Sequence, residues 1–179
     1  MGEPIDRSKL LPRSGVGVVE HWLVIAPPGN PVIRIDLRGL DCIELLEEDE
    51  TERRAATDRP EDWASNVILS CGDLDVGFYI ADGSEAAQRI VREAAPMTRE
   101  GGGDRAGFAL DNFVLVGNDV VFMRRDYIQC GQVAFLISEV REYALRGQNI
   151  PLTGGRLLQA ATALLVVAAE ERDREAEIR

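Results

Sequence analysis

Lysine, histidine and cysteine are scarce in this sequence. Its 179 residues include one lysine against nineteen arginines, one histidine and three cysteines. The cysteines, Cys42, Cys71 and Cys130, show no C-x-x-C spacing, so with a single histidine they do not make a structural zinc site. An odd number of unpatterned cysteines indicates reduced thiols and a cytoplasmic location. The arginines are dispersed along the chain, which indicates GC-rich coding and not a phosphate-binding patch.

Positive charge as a whole is also in deficit. The 20 basic residues face 31 acidic ones, which gives a formal net charge of −11. Because neutralising phosphates requires a basic face, this charge argues against generic binding to nucleic acid and against attraction to an anionic membrane. A strongly acidic protein stays soluble and attracts a basic partner.

The motifs of nucleotide and hydrolase sites are missing: no G-x-x-x-x-G-K-[ST] loop, no G-x-G-x-x-G fingerprint and no G-x-S-x-G elbow occurs. The acidic run 44–52 lacks the spacing and central glycine of a calcium loop. The sequence therefore predicts no cofactor, no metal and no enzyme. One enzymatic alternative stays open, in which His21 is the general base of a nucleophile such as Cys42, Cys71 or Ser70.

Long apolar runs are absent except for one of thirteen residues, 157–169, in which only Gln159 and Thr162 are polar. As a helix it is about 20 Å long, whereas a bilayer core is about 30 Å thick, so membrane insertion is not predicted. The start of the chain has no apolar segment of the kind found in signal peptides. A helix that is apolar on nearly all sides has to be covered on nearly all sides, by its own core or by a partner.

Alternating and helical patterns predict an α+β fold. Residues 15–26 and 32–37 flank the turn PPGNP and predict a first antiparallel hairpin. Residues 41–46 are a candidate for the next strand of the same sheet. Residues 66–71 and 74–81 flank Gly72-Asp73 and predict a second hairpin. A helix follows over 82–96, with Asp82 or Ser84 as its N-cap and with Ala86, Ile90 and Ala94 on its apolar side.

The glycine-rich segment 97–107 predicts a linker between residues 1–96 and 107–179, which form two domains or pack as one unit. Residues 107–126 predict a hairpin around Gly117-Asn118, with Phe108, Leu110, Val114 and Val116 on one strand face. Residues 131–147 follow helical spacing, although 133–137 alone also fit a strand. The apolar helix then ends the chain, so the C-terminal part is a hairpin and two helices.

Two stretches, HWLVIAPPGNPVIRIDLRGLDCIELL and NVILSCGDLDVGFYIADGSEAAQRIVREA, resemble a pleckstrin-homology-like domain of the bacterial, GRAM-like kind over residues 16–95. The resemblance implies antiparallel hairpins that form a partly open barrel, with one capping helix. Such domains usually have seven strands, of which about five are recognisable here. Members that bind inositol phosphates cluster basic residues around the first hairpin, where this chain has PPGN. The resemblance therefore implies a member that docks on proteins.

These observations together predict a non-enzymatic protein-binding or scaffold protein that forms a homo-oligomer or part of a larger assembly. Its predicted contacts are on the apolar helix and in the acidic run: Leu157, Ala161, Leu164, Leu165, Ala168, Glu47, Glu48 and Asp49. Two alternatives are a small acidic secretion-type chaperone, which would be a homodimer, and a hydrolase that uses His21.

Overall fold

The computed structural model describes residues 5–26, 32–46, 66–72, 74–116, 121–123, 127–130, 133–136, 138 and 156–178. These ranges contain ten short strands in three antiparallel sheets, together with two α-helices and several short 3₁₀ turns. The α+β class predicted from the sequence is confirmed. No sheet closes into a barrel within the described ranges.

The first sheet has the strand order β1-β2-β3-β7. Its strands are β1 (Val16–Val19), β2 (Trp22–Ile25), β3 (Ile33–Asp36) and β7 (Val114–Val116). Neighbouring strands are antiparallel, with Ile25 opposite Ile33 and Ile33 opposite Val116. Alternation along β2 and β3 directs Leu23, Ile25, Ile33 and Ile35 into the core, where all four are buried.

The single strand predicted over 15–26 is wrong, because the chain reverses within it. Val19 pairs with Trp22, so Glu20 and His21 form a two-residue loop between β1 and β2. Glu20 takes a positive φ of 55°, a conformation that tight hairpin turns require and that glycine or asparagine usually supplies. Since neither residue type is present, the sequence has no turn signal at this position.

The second sheet has the strand order β4-β5-β6, formed by β4 (Cys42–Leu45), β5 (Val67–Cys71) and β6 (Leu74–Phe78). The hairpin predicted around Gly72 is confirmed, with Cys71 opposite Leu74. Strand β4 does not continue the first hairpin but pairs with β5. A 3₁₀ turn over Leu37–Gly39 separates β3 from β4 and carries the chain from one sheet to the other.

Helix α1 (Ser84–Ala94) confirms the predicted helix after the second hairpin, and a 3₁₀ turn (Ala95–Met97) extends it. The predicted caps are wrong, because the N-cap is Gly83, without a side-chain hydrogen bond. The carboxylate of Asp82 turns instead to the N-terminal part of the chain, where it accepts the backbone N–H of Arg13. The buried side of α1 carries Ala87, Ile90 and Ala94, whereas Ala86 is half-buried.

The glycine-rich segment after α1 is hydrogen-bonded to the body of the protein. The N–H groups of Arg99 and Glu100 donate to the carbonyls of Leu40 and Asp41 at 3.0 and 2.9 Å. A Cβ on Gly101 would lie 1.9 Å from the Ala95 carbonyl oxygen. The glycine at position 101 is therefore explained by a close backbone contact and not by the flexibility of a linker.

The third sheet has the order β10-β9-β8, formed by β8 (Val121–Met123), β9 (Tyr127–Cys130) and β10 (Val133–Leu136). The hairpin predicted over 107–126 is wrong: β7 pairs with β3 and β8 pairs with β9. A 3₁₀ turn (Leu110–Asn112) precedes β7, so Phe108 and Leu110 are not on a strand. Of the two alternatives for 133–137, the structure has a strand at Val133–Leu136. Gly117-Asn118 lies outside the described residues.

Helix α2 (Arg156–Ile178) packs against β5, β6, β7 and the Leu110–Asn112 turn. Its residues Leu164 and Leu165 belong to one hydrophobic cluster with Phe113 of the preceding segment and with side chains of the first two sheets and α1. Residues on both sides of 97–107 therefore share a sheet and a core. Within the described ranges, neither helix has the length and apolarity needed to cross a bilayer.

Candidate functional site

A hollow of about 270 Å³ lies beside the second half of α2. We call it the arginine hollow, because arginines from two distant parts of the chain line it. Its lining consists of Gly39, Arg99, Arg105, Phe108, Leu110, Ala168, Arg172 and Glu175. Three parts of the fold thus form it: the turn between the first two sheets, the segment 99–110, and α2.

Close packing around Gly39 brings the three parts together. A Cβ at this position would lie 2.3 Å from the Phe113 ring and 3.0 Å from the Phe108 ring. Because the glycine leaves this space open, the two rings approach each other edge-on with centroids 6.1 Å apart. Phe113 is buried in the core, whereas Phe108 is half-buried and reaches the hollow. The position of the Phe108 ring in the lining is therefore fixed by its packing against the buried Phe113 ring.

Two arginines of the lining have carboxylates as neighbours. Arg99 lies 3.5 Å from Asp41 and 3.7 Å from Glu175, and Arg172 lies 3.5 Å from Asp173. These distances exceed the 2.7–2.9 Å of charge-assisted hydrogen bonds. Since the side chains are partly or largely exposed, such ion pairs contribute about 1 kcal/mol or less.

Arg105 differs from the other two arginines. Its guanidinium carbon lies 4.9 Å from the centroid of the Phe108 ring, within the range of a cation–π contact. It has no ion pair with a carboxylate among the described residues. Next to it, Arg38 donates a hydrogen bond of 2.6 Å to the Ala106 carbonyl. This bond ties the segment that carries Arg105 to the turn between the first two sheets.

A second group of ionisable residues surrounds the buried carboxylate of Asp36. Arg38 donates to both carboxylate oxygens, at 3.0 and 2.8 Å, and this hydrogen bonding raises the pKa of Arg38 above its usual value. His21 Nε2 lies 3.8 Å from Asp36 Oδ2, and its ring lies 4.8 Å from that of Trp22. His21 and Arg38 thus both lie near Oδ2 of Asp36, and the bidentate arginine is the closer of the two.

The candidate nucleophiles have other partners. The Ser70 hydroxyl donates to Asp75 at 2.7 Å, and the buried Cys71 thiol lies 4.0 Å from the Gly39 carbonyl. Cys42 is opposite Ser70 in the second sheet, and burial raises the pKa of its thiol, whereas a reactive cysteine needs a lowered pKa. Within the described part of the chain, no contact joins His21 to Cys42, Cys71 or Ser70.

A second hollow of about 320 Å³ lies between the second sheet and the first turn of α1. Its wall includes the side chains of Leu45 and Tyr79, which are 37% and 46% exposed. The amide of Asn66 does not face it unpaired, because it bonds both the N–H and the carbonyl of Ile80. This hollow is also lined by the polar residues Ser84 and Gln88, and no charged side chain lines it among the described residues.

The structure separates the residues that the sequence proposed as partner contacts. Leu164 and Leu165 are buried in the core of the chain itself, whereas Ala168 is half-buried and lines the arginine hollow. Leu157 and Ala161 lie in α2, but their side chains are outside the description. The acidic residues Glu47, Glu48 and Asp49 are also outside the described residues.

Sequence reasoning did not identify Arg99, Arg105 and Phe108 as residues of a site. Arg99 and Arg105 are six positions apart, and Arg172 follows much later, so no spacing pattern connects them. Comparison of the chain with protein-family models, with curated proteins and with solved structures finds no match.

Proposed function

We propose that this chain is a non-enzymatic protein-binding protein whose docking surface is the arginine hollow and the adjoining half of α2. The composition of the lining supports the proposal, because Arg99, Arg105 and Arg172 line the hollow together with Phe108 and Ala168. Arginine and aromatic residues are enriched at protein interfaces and among the residues that contribute most to binding. This composition is the observation that carries the proposal.

The hollow has room for a side chain of a larger partner, because its volume is about 270 Å³. The rest of the contact then lies on the exposed surface of α2, where residues 172–178 are exposed wherever their side chains are described.

The charge of the whole chain and the charge of the hollow act differently. A net charge of −11 speeds association with a protein that is basic overall, whereas the side chain that enters the hollow meets three arginines. The acidic contacts predicted from the sequence, Glu47, Glu48 and Asp49, lie outside the described residues. A homo-oligomer and a larger assembly are both forms of the proposal, and the experiment distinguishes them.

Site-specific photo-cross-linking tests the proposal. A photoreactive amino acid replaces Glu175, which lines the hollow and is 63% exposed. The matched control replaces Glu93, a glutamate of α1 that is 49% exposed. After irradiation in the cells from which the chain comes, we expect a discrete adduct from position 175 that is missing from position 93. An adduct of twice the chain mass identifies a second copy, and any other mass identifies a different protein.

The identified partner is then purified and titrated against the chain by calorimetry. Ala168→Glu places a negative charge in the hollow and is expected to weaken binding at least tenfold, about 1.4 kcal/mol. Equal adducts from positions 175 and 93, or unchanged affinity of the Ala168→Glu variant, would remove the hollow as the docking surface.

A further inference from the structure

We infer that the arginine hollow is an anion-binding site that accepts one carboxylate-bearing side chain, aspartate or glutamate, and that Arg105 is its principal donor. The inference rests on the proposed function for the source of the side chain, which is the protein partner. The anion chemistry itself follows from the residues of the hollow and is tested without the partner.

Arg105 has the geometry of a prepared donor. The Phe108 ring lies 4.9 Å from its guanidinium carbon, and this cation–π contact favours one position of an otherwise exposed side chain. A guanidinium carries five N–H donors arranged in a fork that matches the two oxygens of a carboxylate. No carboxylate of the described residues forms an ion pair with Arg105. The nearest acidic residue in sequence, Asp104, accepts the N–H of Ala106 at 2.9 Å.

Arg172 can turn towards an incoming carboxylate at little cost. Its present ion pair with Asp173, at 3.5 Å, is longer than a direct charge-assisted hydrogen bond. Asp173 is 72% exposed, so it regains water when the arginine leaves it. Arg172 therefore acts as a secondary donor beside the group held by Arg105, whereas Arg99 keeps its own partners, Asp41 and Glu175 among them.

The ion pairs of the lining favour a monoanion over a dianion. Three arginines line the hollow, and three carboxylates, those of Asp41, Asp173 and Glu175, lie within 4 Å of Arg99 or Arg172, so these charges cancel overall. Arg105 is the arginine of the lining that forms no ion pair among the described residues. Its single guanidinium suits one carboxylate, whereas the three carboxylates already present repel a phosphate dianion more strongly than a monoanion.

The apolar part of the lining favours a side chain over a bare ion. Phe108, Leu110 and Ala168 line the hollow together with the three arginines. A glutamate side chain places its methylene groups against these apolar residues while its carboxylate meets Arg105. The neutral amide of glutamine has the same shape without the charge, and it provides the matched control ligand.

Nuclear magnetic resonance of the arginine side-chain Nε–H groups tests the inference on the purified chain. The probes are N-acetyl-glutamate methylamide, its glutamine counterpart and inorganic phosphate. We expect the glutamate probe to shift the Arg105 signal in a saturable way, with a dissociation constant of about 10 mM or below. The glutamine probe leaves the signal unchanged, and phosphate binds more weakly than the glutamate probe.

Variants assign the binding to the hollow. Arg105→Gln removes the saturable response of Arg172, whereas Arg105→Lys weakens it, because lysine keeps the charge but lacks the planar fork. Arg89→Gln is the control: it removes an exposed arginine of α1 and leaves binding unchanged. Backbone spectra of all variants show whether the fold is kept.

Three results would overturn the inference: no saturable shift at Arg105, an equal response to the glutamine probe, or tighter binding of phosphate than of the glutamate probe. The proposed function fails separately. A partner cross-linked at position 175 without glutamate binding would keep the docking surface and remove the anion site. Glutamate binding without any position-dependent cross-link would keep the anion site and remove the docking surface.

Discussion

Asp82 joins the N-terminal part of the chain to the start of α1. Its carboxylate accepts the backbone N–H groups of Arg13 and Ser14 at 2.8 and 3.0 Å, and it also accepts the Ser14 hydroxyl. Partial burial raises the pKa of Asp82, but these hydrogen bonds outweigh that effect, and the net pKa lies below the ordinary value. Asp82 therefore stabilises the fold in its charged form.

We expect Asp82→Asn to lower the free energy of unfolding at pH 7 by about 1 kcal/mol. The unfolded carboxyl has a pKa near 3.9, and the folded pKa is lower. The contribution of Asp82 is therefore fully present above about pH 4 and is lost as the pH falls through the folded pKa. Urea unfolding at a series of pH values should show wild type and variant converging in acid. Asp173→Asn, at a carboxylate that is 72% exposed, is the control. A pH-independent difference would contradict this role.

Residue-level features were predictable only where their partners are close in sequence. The sequence predicts Asp82 as an N-cap residue, but its carboxylate accepts hydrogen bonds from Arg13 and Ser14, which lie 69 and 68 positions away. Arg105 shows the same limit, because Arg172 reaches the hollow only after α2 has folded onto the sheets. No local pattern encodes either contact.

Hairpin turns are features of the elements, and the two turns at Glu20 and Gly72, both among the described residues, differ in strain. Glu20 takes a φ of 55° and Gly72 a φ of 57°, so a residue with a side chain and a glycine have nearly the same positive φ. A side chain in this region costs about 1–2 kcal/mol relative to the usual helical region. The strain is present at Glu20 and absent at Gly72.

We therefore expect opposite effects from two substitutions. Glu20→Gly should stabilise the fold by up to about 1 kcal/mol, and Gly72→Ala should destabilise it by a similar amount. Thermal and urea unfolding of both variants measure whether each substitution raises or lowers the stability of the fold. If Glu20→Gly destabilises, the side chain of Glu20 contributes more to stability than its backbone strain removes.

Helix α2 has a buried middle and an exposed end. Leu164 is 0% exposed, whereas Ile178 is 86% exposed on the same helix. Leu164→Ala should lower the free energy of unfolding by about 2–5 kcal/mol, because it removes buried methyl groups and leaves a cavity. Ile178→Ala is the matched control and should change it by less than about 0.5 kcal/mol. Equal effects in denaturant unfolding would contradict the position of α2 in the core.

Elements were predictable where local signals agreed. The hairpin around Gly72 combines alternation with a turn glycine, and α1 combines helical spacing with a preceding turn, so both were identified. The sequence also predicts a hairpin of β7 and β8, but β7 pairs with β3 and β8 pairs with β9. Pairing of β7 depends on a strand about eighty positions earlier, and a turn signal at Gly117-Asn118 cannot report it.

The whole molecule depends on contacts across the predicted domain boundary. Strand β7 completes the first sheet beside β3, and Phe113, Leu164 and Leu165 lie in the same cluster as the core of the first two sheets. Burying three such side chains contributes about 5–9 kcal/mol. The entire stability of a domain is about 5–15 kcal/mol. Residues 1–106 alone therefore lack a large part of what stabilises them.

We expect a fragment that ends at residue 106 to be unfolded or only loosely packed, with collapsed amide dispersion in ¹H–¹⁵N spectra and no cooperative unfolding transition. The control fragment ends at Glu175 and removes only the last residues of α2, and it should keep the dispersion of the full chain. A dispersed spectrum and a cooperative transition for residues 1–106 would show that 1–96 is a domain of its own. In that case the pairing of β3 with β7 would be a contact between two separately stable units, and α2 would be free to leave the first unit for another partner.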